Sequence, residues 1–336
     1  MRNSIKINFQ KERDFSDIIN ITFQFVGENF KALLFSLLYL AGPLILLSGI
    51  FAGLLQIKAL SVINNTTPTT EDTPAEVFGE LLGKRTAFIF SYEYLAASVF
   101  SFLATVMVVT IVYAFIIEYQ ESDDSKKISI AQIWERVKSL FITTLLSFLS
   151  ISIVFFGILS VFGGFIFFLV STGSNVAVNL AISLTIILAC FTTVYLGIIF
   201  LLNTPIVTFE YTGIWQAFGR ANYLIQKKWW QTFSVLIIFM VINYFISLVF
   251  SFPEIILTAV NAVGLKYDFE IGQTISVIAT TVLSALGRIV VSSLTYLAIT
   301  FQYFSLVEGK EGNSLKSQIS AIGQKNRPQN DDEESF

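Results

Sequence analysis

Apolar residues run in six long blocks along this chain, at about 32–55, 95–117, 140–170, 177–202, 231–252 and 275–305. Each is about 20 residues or longer and almost free of charge, the length an α-helix needs to cross about 30 Å of hydrocarbon at about 1.5 Å per residue. Strands of a transmembrane barrel alternate in polarity and are half as long, and a spanning segment must satisfy its own backbone. The pattern therefore predicts an all-α polytopic membrane protein with six transmembrane helices.

Ahead of the first, third and fifth blocks the period changes to that of a one-sided helix. Asp14 opens the first such segment, with Phe15, Ile18, Ile19, Phe23, Val26 and Phe30 on one face. Ser129 opens the second, with Gln132 placed to complete a capping box and Ile130, Ile133, Trp134, Val137 and Phe141 apolar. The third begins near Thr212 and carries Ile214, Trp215, Phe218, Ala221 and Ile225. Helices of this kind lie at the headgroup level with the apolar side down, and each is expected to run directly into a span. The result is a threefold unit: amphipathic helix, span, loop and returning span, over 14–120, 129–210 and 212–308. The fourth and sixth spans end alike, Tyr195-Leu196-Gly197-Ile198-Ile199-Phe200 beside Tyr296-Leu297-Ala298-Ile299-Thr300-Phe301, whereas the second offers only Phe115. Each then reaches a glutamate: Glu118, Glu210 or Glu308.

Charge sets orientation. With six crossings, sixteen Lys and Arg fall on the side of the termini and four (Lys58, Lys84, Arg85, Lys266) on the other. The positive-inside rule then places both termini in the cytoplasm. No cleavable signal peptide is visible before the first span. The longest outer loop, about 58–90, has a polar core from Asn64 to Asp72. Asn64 and Asn65 match the glycosylation acceptor pattern, though a plain exposed loop explains them as well. The tail 309–336 ends in an acidic run and is expected to be partly disordered.

Composition narrows the chemistry. Hydrophobic residues make up 54% and charged residues 13%, and the net charge of −3 points to no partner. There is no histidine, which removes the commonest acid–base group and metal ligand. The single cysteine, Cys190, excludes an internal disulfide. No catalytic, metal or cofactor set is expected, and nucleic acid is not an expected partner.

One charge lies deep in a span, Arg288, where insertion costs roughly 3 kcal/mol. It should face the bundle interior with a partner, Glu254 first and Glu93 second. Two readings follow: a site for an anionic group, or a structural ion pair. Gly42-Pro43 and Gly163-Gly164 are candidate hinges, with close helix packing as the plainer alternative, and Gly49 and Gly53 form a small-residue repeat. Trp229-Trp230 beside Lys227-Lys228 marks a membrane boundary.

The stretch Tyr195–Phe233, with Pro205, Glu210, Ala217, Arg220, Leu224 and the Lys228-Trp229-Trp230 exit, resembles the membrane domain attached to some bacterial glycerophosphodiester phosphodiesterases. Ala221 stands where serine is usual in that family. The ends, Lys11-Glu12-Arg13-Asp14-Phe15 and Phe301 to Glu308, resemble stand-alone members from Bacteroidetes-type bacteria. The family's enzymatic chemistry belongs to a separate soluble barrel that needs histidines, which this chain lacks. The resemblance implies a multi-pass protein of the bacterial inner membrane. Two functions are expected in competition. One is a non-enzymatic scaffold or accessory subunit that meets other membrane proteins, a second copy or anionic lipid. The other is a transporter or lipid translocator with Arg288, Asn243 and Asn179 along its path.

Overall fold

The computed structural model describes residues 7–65, 91–122, 128–173, 175–262 and 270–312. The loop core beyond Asn65, the basic residues at 84, 85, 126, 127 and 266, and the tail from 313 lie outside them. Among the described residues eight helices follow in order: α1 Phe15–Leu40, α2 Gly42–Asn65, α3 Tyr92–Glu121, α4 Ile130–Ser171, α5 Val176–Glu210, α6 Ile214–Ile225, α7 Trp229–Ala262 and α8 Glu270–Glu311. Six of them, α2 to α5, α7 and α8, are long and apolar enough to cross a membrane.

The three amphipathic lead-ins take three forms. The first is the beginning of α1, a single helix to Leu40; Ala41 then separates it from α2. Pro43 sits in the opening turn of α2, where its missing N–H has no intrahelical partner to lose. The expected hinge at Gly42-Pro43 is thus a junction between two helices. The second lead-in continues unbroken into α4. Its capping box is complete: Gln132 N donates to Ser129 Oγ at 3.3 Å, and Ser129 N donates to Gln132 Oε1 at 2.9 Å. The third, α6, does not run into its span as expected. A turn at 226–228 intervenes, with Lys227 in the left-handed region at φ 71°.

α3 is the central helix. It is apolar on all sides and is buried almost continuously from Val106 to Ile117, as such a helix must be in the middle of a bundle. α8 runs beside α1, α2, α3 and α7. Glycine decides how closely α2 approaches it. A Cβ on Gly49 would lie 2.7 Å from Val282 Cα, and one on Gly53 would lie 3.0 Å from Ile278 Cα. The two backbones are therefore in contact along this seam, as small residues permit in lipid. A bridge reinforces it: Gln56 Nε2 donates to Thr258 Oγ1 at 2.8 Å, and Thr281 Oγ1 donates to Gln56 Oε1 at 2.9 Å, joining α2, α7 and α8.

Gly163 and Gly164 behave differently. α4 passes through them as continuous helix, so they form no hinge, and a Cβ on either would meet nothing within 4 Å, so they mediate no close packing. Replacing Gly49 with leucine should destabilise the protein by on the order of 1–3 kcal/mol through overpacking, and Gly163→Ala should stabilise it by up to about 1 kcal/mol through helix propensity. Thermal unfolding in detergent checks both, and equal effects would contradict the asymmetry of the two sites.

Candidate functional site

Two polar constellations stand out, one at the end of the bundle that carries both terminal segments and one within it. At the termini end α5 finishes at Glu210, and Tyr211 takes a left-handed conformation (φ 53°) that turns the chain into α6. The turn brings Arg220 back onto Glu210. Its Nε donates to Oε2 at 3.0 Å and to Oε1 at 3.2 Å, while Tyr303 on α8 donates its hydroxyl to Oε1 at 3.0 Å. Arg220 also pairs with Glu311 at the end of α8. Burial pulls the Arg220 pKa down, but the hydrogen bond with Glu311 and the attraction of Glu210 outweigh it and hold the guanidinium above its ordinary value. Upstream, Pro205 is buried, and Asn203 donates from Nδ2 to the Ile214 carbonyl at 3.0 Å while accepting from Ser147 Oγ at 2.9 Å, locking α4, α5 and α6 together.

Another exit glutamate has the same kind of partner. Arg136 on α4 donates from Nε to Glu118 Oε1 at 3.0 Å and also pairs with Glu121. In both places an arginine of an amphipathic segment grips the glutamate where the preceding span ends. The N-terminal segment reaches the same end from the other side. Arg13 is buried; its backbone N–H donates to Ser305 Oγ at 2.8 Å, and its guanidinium donates to the Phe9 and Lys11 carbonyls at 3.1 and 3.3 Å. Phe9 stacks on Phe301 at 5.1 Å, within a cluster that includes Phe25, Phe115 and Tyr119. Glu12 pairs with Lys228. The two end stretches singled out in the sequence thus meet each other.

Trp229 and Trp230 pack edge to face at 4.8 Å at the start of α7, and Trp229 stacks on Phe233 at 5.2 Å. Trp230 is exposed, as a boundary residue should be.

At the second constellation Arg288 is exposed rather than turned into the bundle interior as expected, and its expected partners do not meet it. Glu93 is claimed by Lys58, whose Nζ lies 3.3 Å from both carboxylate oxygens. Glu254 is half-buried on α7 and makes no ion pair among the described residues. Lys58, counted in the sequence only among the basic residues of the outer side, lies on the neighbouring helix α2 within reach of Glu93. Arg288 instead lines a cavity of about 380 Å³ between α2, α3 and α8, with Ser48, Tyr94, Ser98 and Ser101. Asn243 bonds to Thr295, and Asn179 is exposed near the start of α5; neither lines that cavity. Among the described residues no group of His, Cys, Asp and Glu could hold a metal ion.

Sequence reasoning identified Glu210 and Arg220 but missed Tyr303, Glu311 and the role of Arg13. A tyrosine at 303, five residues before the exit glutamate Glu308, carried no distinguishing pattern. Comparison with protein-family models, with curated proteins and with solved structures returns no match.

Arg220→Ala leaves Glu210 with Tyr303 alone. The expected loss is on the order of 1–2 kcal/mol, below that of a fully buried pair because 26% and 21% of the two side chains remain exposed. A double-mutant cycle with Glu210→Gln, read by thermal unfolding, should give a coupling of about 1 kcal/mol. Strict additivity would remove the clamp from the account.

Proposed function

We propose that the chain is a non-enzymatic scaffold or accessory subunit of a membrane protein complex, a stand-alone relative of the membrane domain it resembles. It sits in the bacterial inner membrane with both termini in the cytoplasm. One observation carries this reading: the α4–α5 pair leaves the body of the bundle as a two-helix arm. The most apolar stretch of α4 has no buried residue. From Ile153 to Phe191 large side chains such as Phe156, Phe167, Val176 and Leu184 are exposed around both helices. Along this stretch the arm offers apolar surface on nearly every side. Such surface suits a neighbouring membrane protein. A chain without histidine, held rigid at its cytoplasmic end, suits a structural role beside it.

A translocator is the second reading, and the Arg288 cavity is what favours it. Against it stands the termini end, where Phe25, Phe115, Tyr119 and Phe301 fill the interior with fully or nearly fully buried rings.

The scaffold reading expects a stoichiometric membrane-protein partner on purification in mild detergent. Cys190, exposed on α5, should crosslink to that partner. A protein that purifies alone and whose Cys190 crosslinks to nothing would refute it. For orientation, in a Cys190→Ser background Thr69→Cys should react with an impermeant thiol reagent on intact cells and Ser125→Cys only after lysis. The reverse labelling would invert the topology.

A further inference from the structure

We infer that the cavity between α2, α3 and α8 is a binding site for a single phosphate group, with Arg288 as its charged ligand. The inference stands apart from the scaffold reading. A cation in the middle of a span must be compensated, by an opposite charge or by access to one. Arg288 lies about 27 Å along α8 from its start. Among the described residues its one hydrogen bond is a long one, from Nε to the Ser284 carbonyl at 3.4 Å. Of the two candidate acids, Glu93 is paired with Lys58 and Glu254 forms no ion pair with Arg288.

The surroundings are built for an anion. On α3, Tyr94, Ala97, Ser98 and Ser101 recur at helical spacing and form one face; on α2, Ser48 and Ala52 do the same. These faces bring the Tyr94, Ser98 and Ser101 hydroxyls and small residues to the guanidinium, the Ser48 hydroxyl being engaged with the Ile45 carbonyl at 2.8 Å, and among the described residues no carboxylate lines the space. The backbone contact at Gly49 and Gly53 fixes the α2 face beside α8. Helical side chains lean toward the helix N-terminus, so Arg288 points along the cavity toward the end where α3 begins. Its planar fork matches two phosphate oxygens, and serine hydroxyls can serve the others. The volume falls at the low end of ligand sites, enough for a headgroup and not for a whole lipid. Tyr94, Ser98, Ser101 and Arg288 are exposed, so the cavity opens to the protein surface and a group can enter from the side.

The phosphate could belong to a lipid headgroup or be free in solution, and the experiment separates these sources. Full-length protein in neutral detergent is titrated with dihexanoyl phosphatidylglycerol and, separately, with inorganic phosphate, and bound ligand is counted by native mass spectrometry. The wild type should bind one equivalent of at least one probe. Arg288→Gln should weaken it at least tenfold while its melting temperature stays equal or rises. Arg288→Lys should retain part of the affinity. Ser98→Leu, which fills the cavity from an exposed position, should block binding as a second, independent variant. Binding of the lipid alone assigns a headgroup, and comparable binding of inorganic phosphate assigns a free anion. No binding of either probe to the wild type, or affinity for Arg288→Gln within twofold of the wild type, would overturn the site.

Discussion

Contact between the backbones of α2 and α8 is the constraint from which the rest of the bundle follows. Lipid supplies no hydrophobic drive for helices to associate, so adhesion depends on close packing and on polar groups that meet across the seam. Gly49 and Gly53 supply the first, and Gln56 with Thr258 and Thr281 supplies the second. With α2 held there, α3 is enclosed from Val106 to Ile117, α7 is tied in through Thr258, and the space beside Arg288 takes its shape.

The six spans were legible because their signal is length and apolarity, which no neighbour alters. The capping box at Ser129 was legible for the same reason: both partners lie within four residues. What escaped the sequence was set by tertiary geometry. Arg288 and Glu93 have opposite charges and lie in spans, but Lys58 is within reach of Glu93 and Arg288 is not. Gly163-Gly164 and Gly49-x-x-x-Gly53 look equally permissive as text, and only the neighbouring helix separates an idle pair from a packing seam. Of the interfacial set, the Glu210–Arg220 pair was readable from a short motif, whereas Tyr303 and Glu311 come from a helix more than 80 residues away.

The grip of arginine on an exit glutamate recurs at both junctions of the expected threefold unit. Glu118 with Arg136 and Glu210 with Arg220 each staple the end of one span to the amphipathic segment that opens the next. The staples differ in detail, since α4 is continuous with its lead-in and α6 is not. What recurs is the electrostatic joint, while helix continuity varies from unit to unit.

The buried Arg13 strand has a consequence for biogenesis. Ile7 and Phe9 beside it meet Tyr119 and Phe25, whereas its own partner Ser305 lies 292 residues away. Loop closure of this span makes docking slow relative to the local hairpins that precede it. The Arg13 segment thus has its first seat on α1 and α3, and α8 acts as the clasp that closes over it.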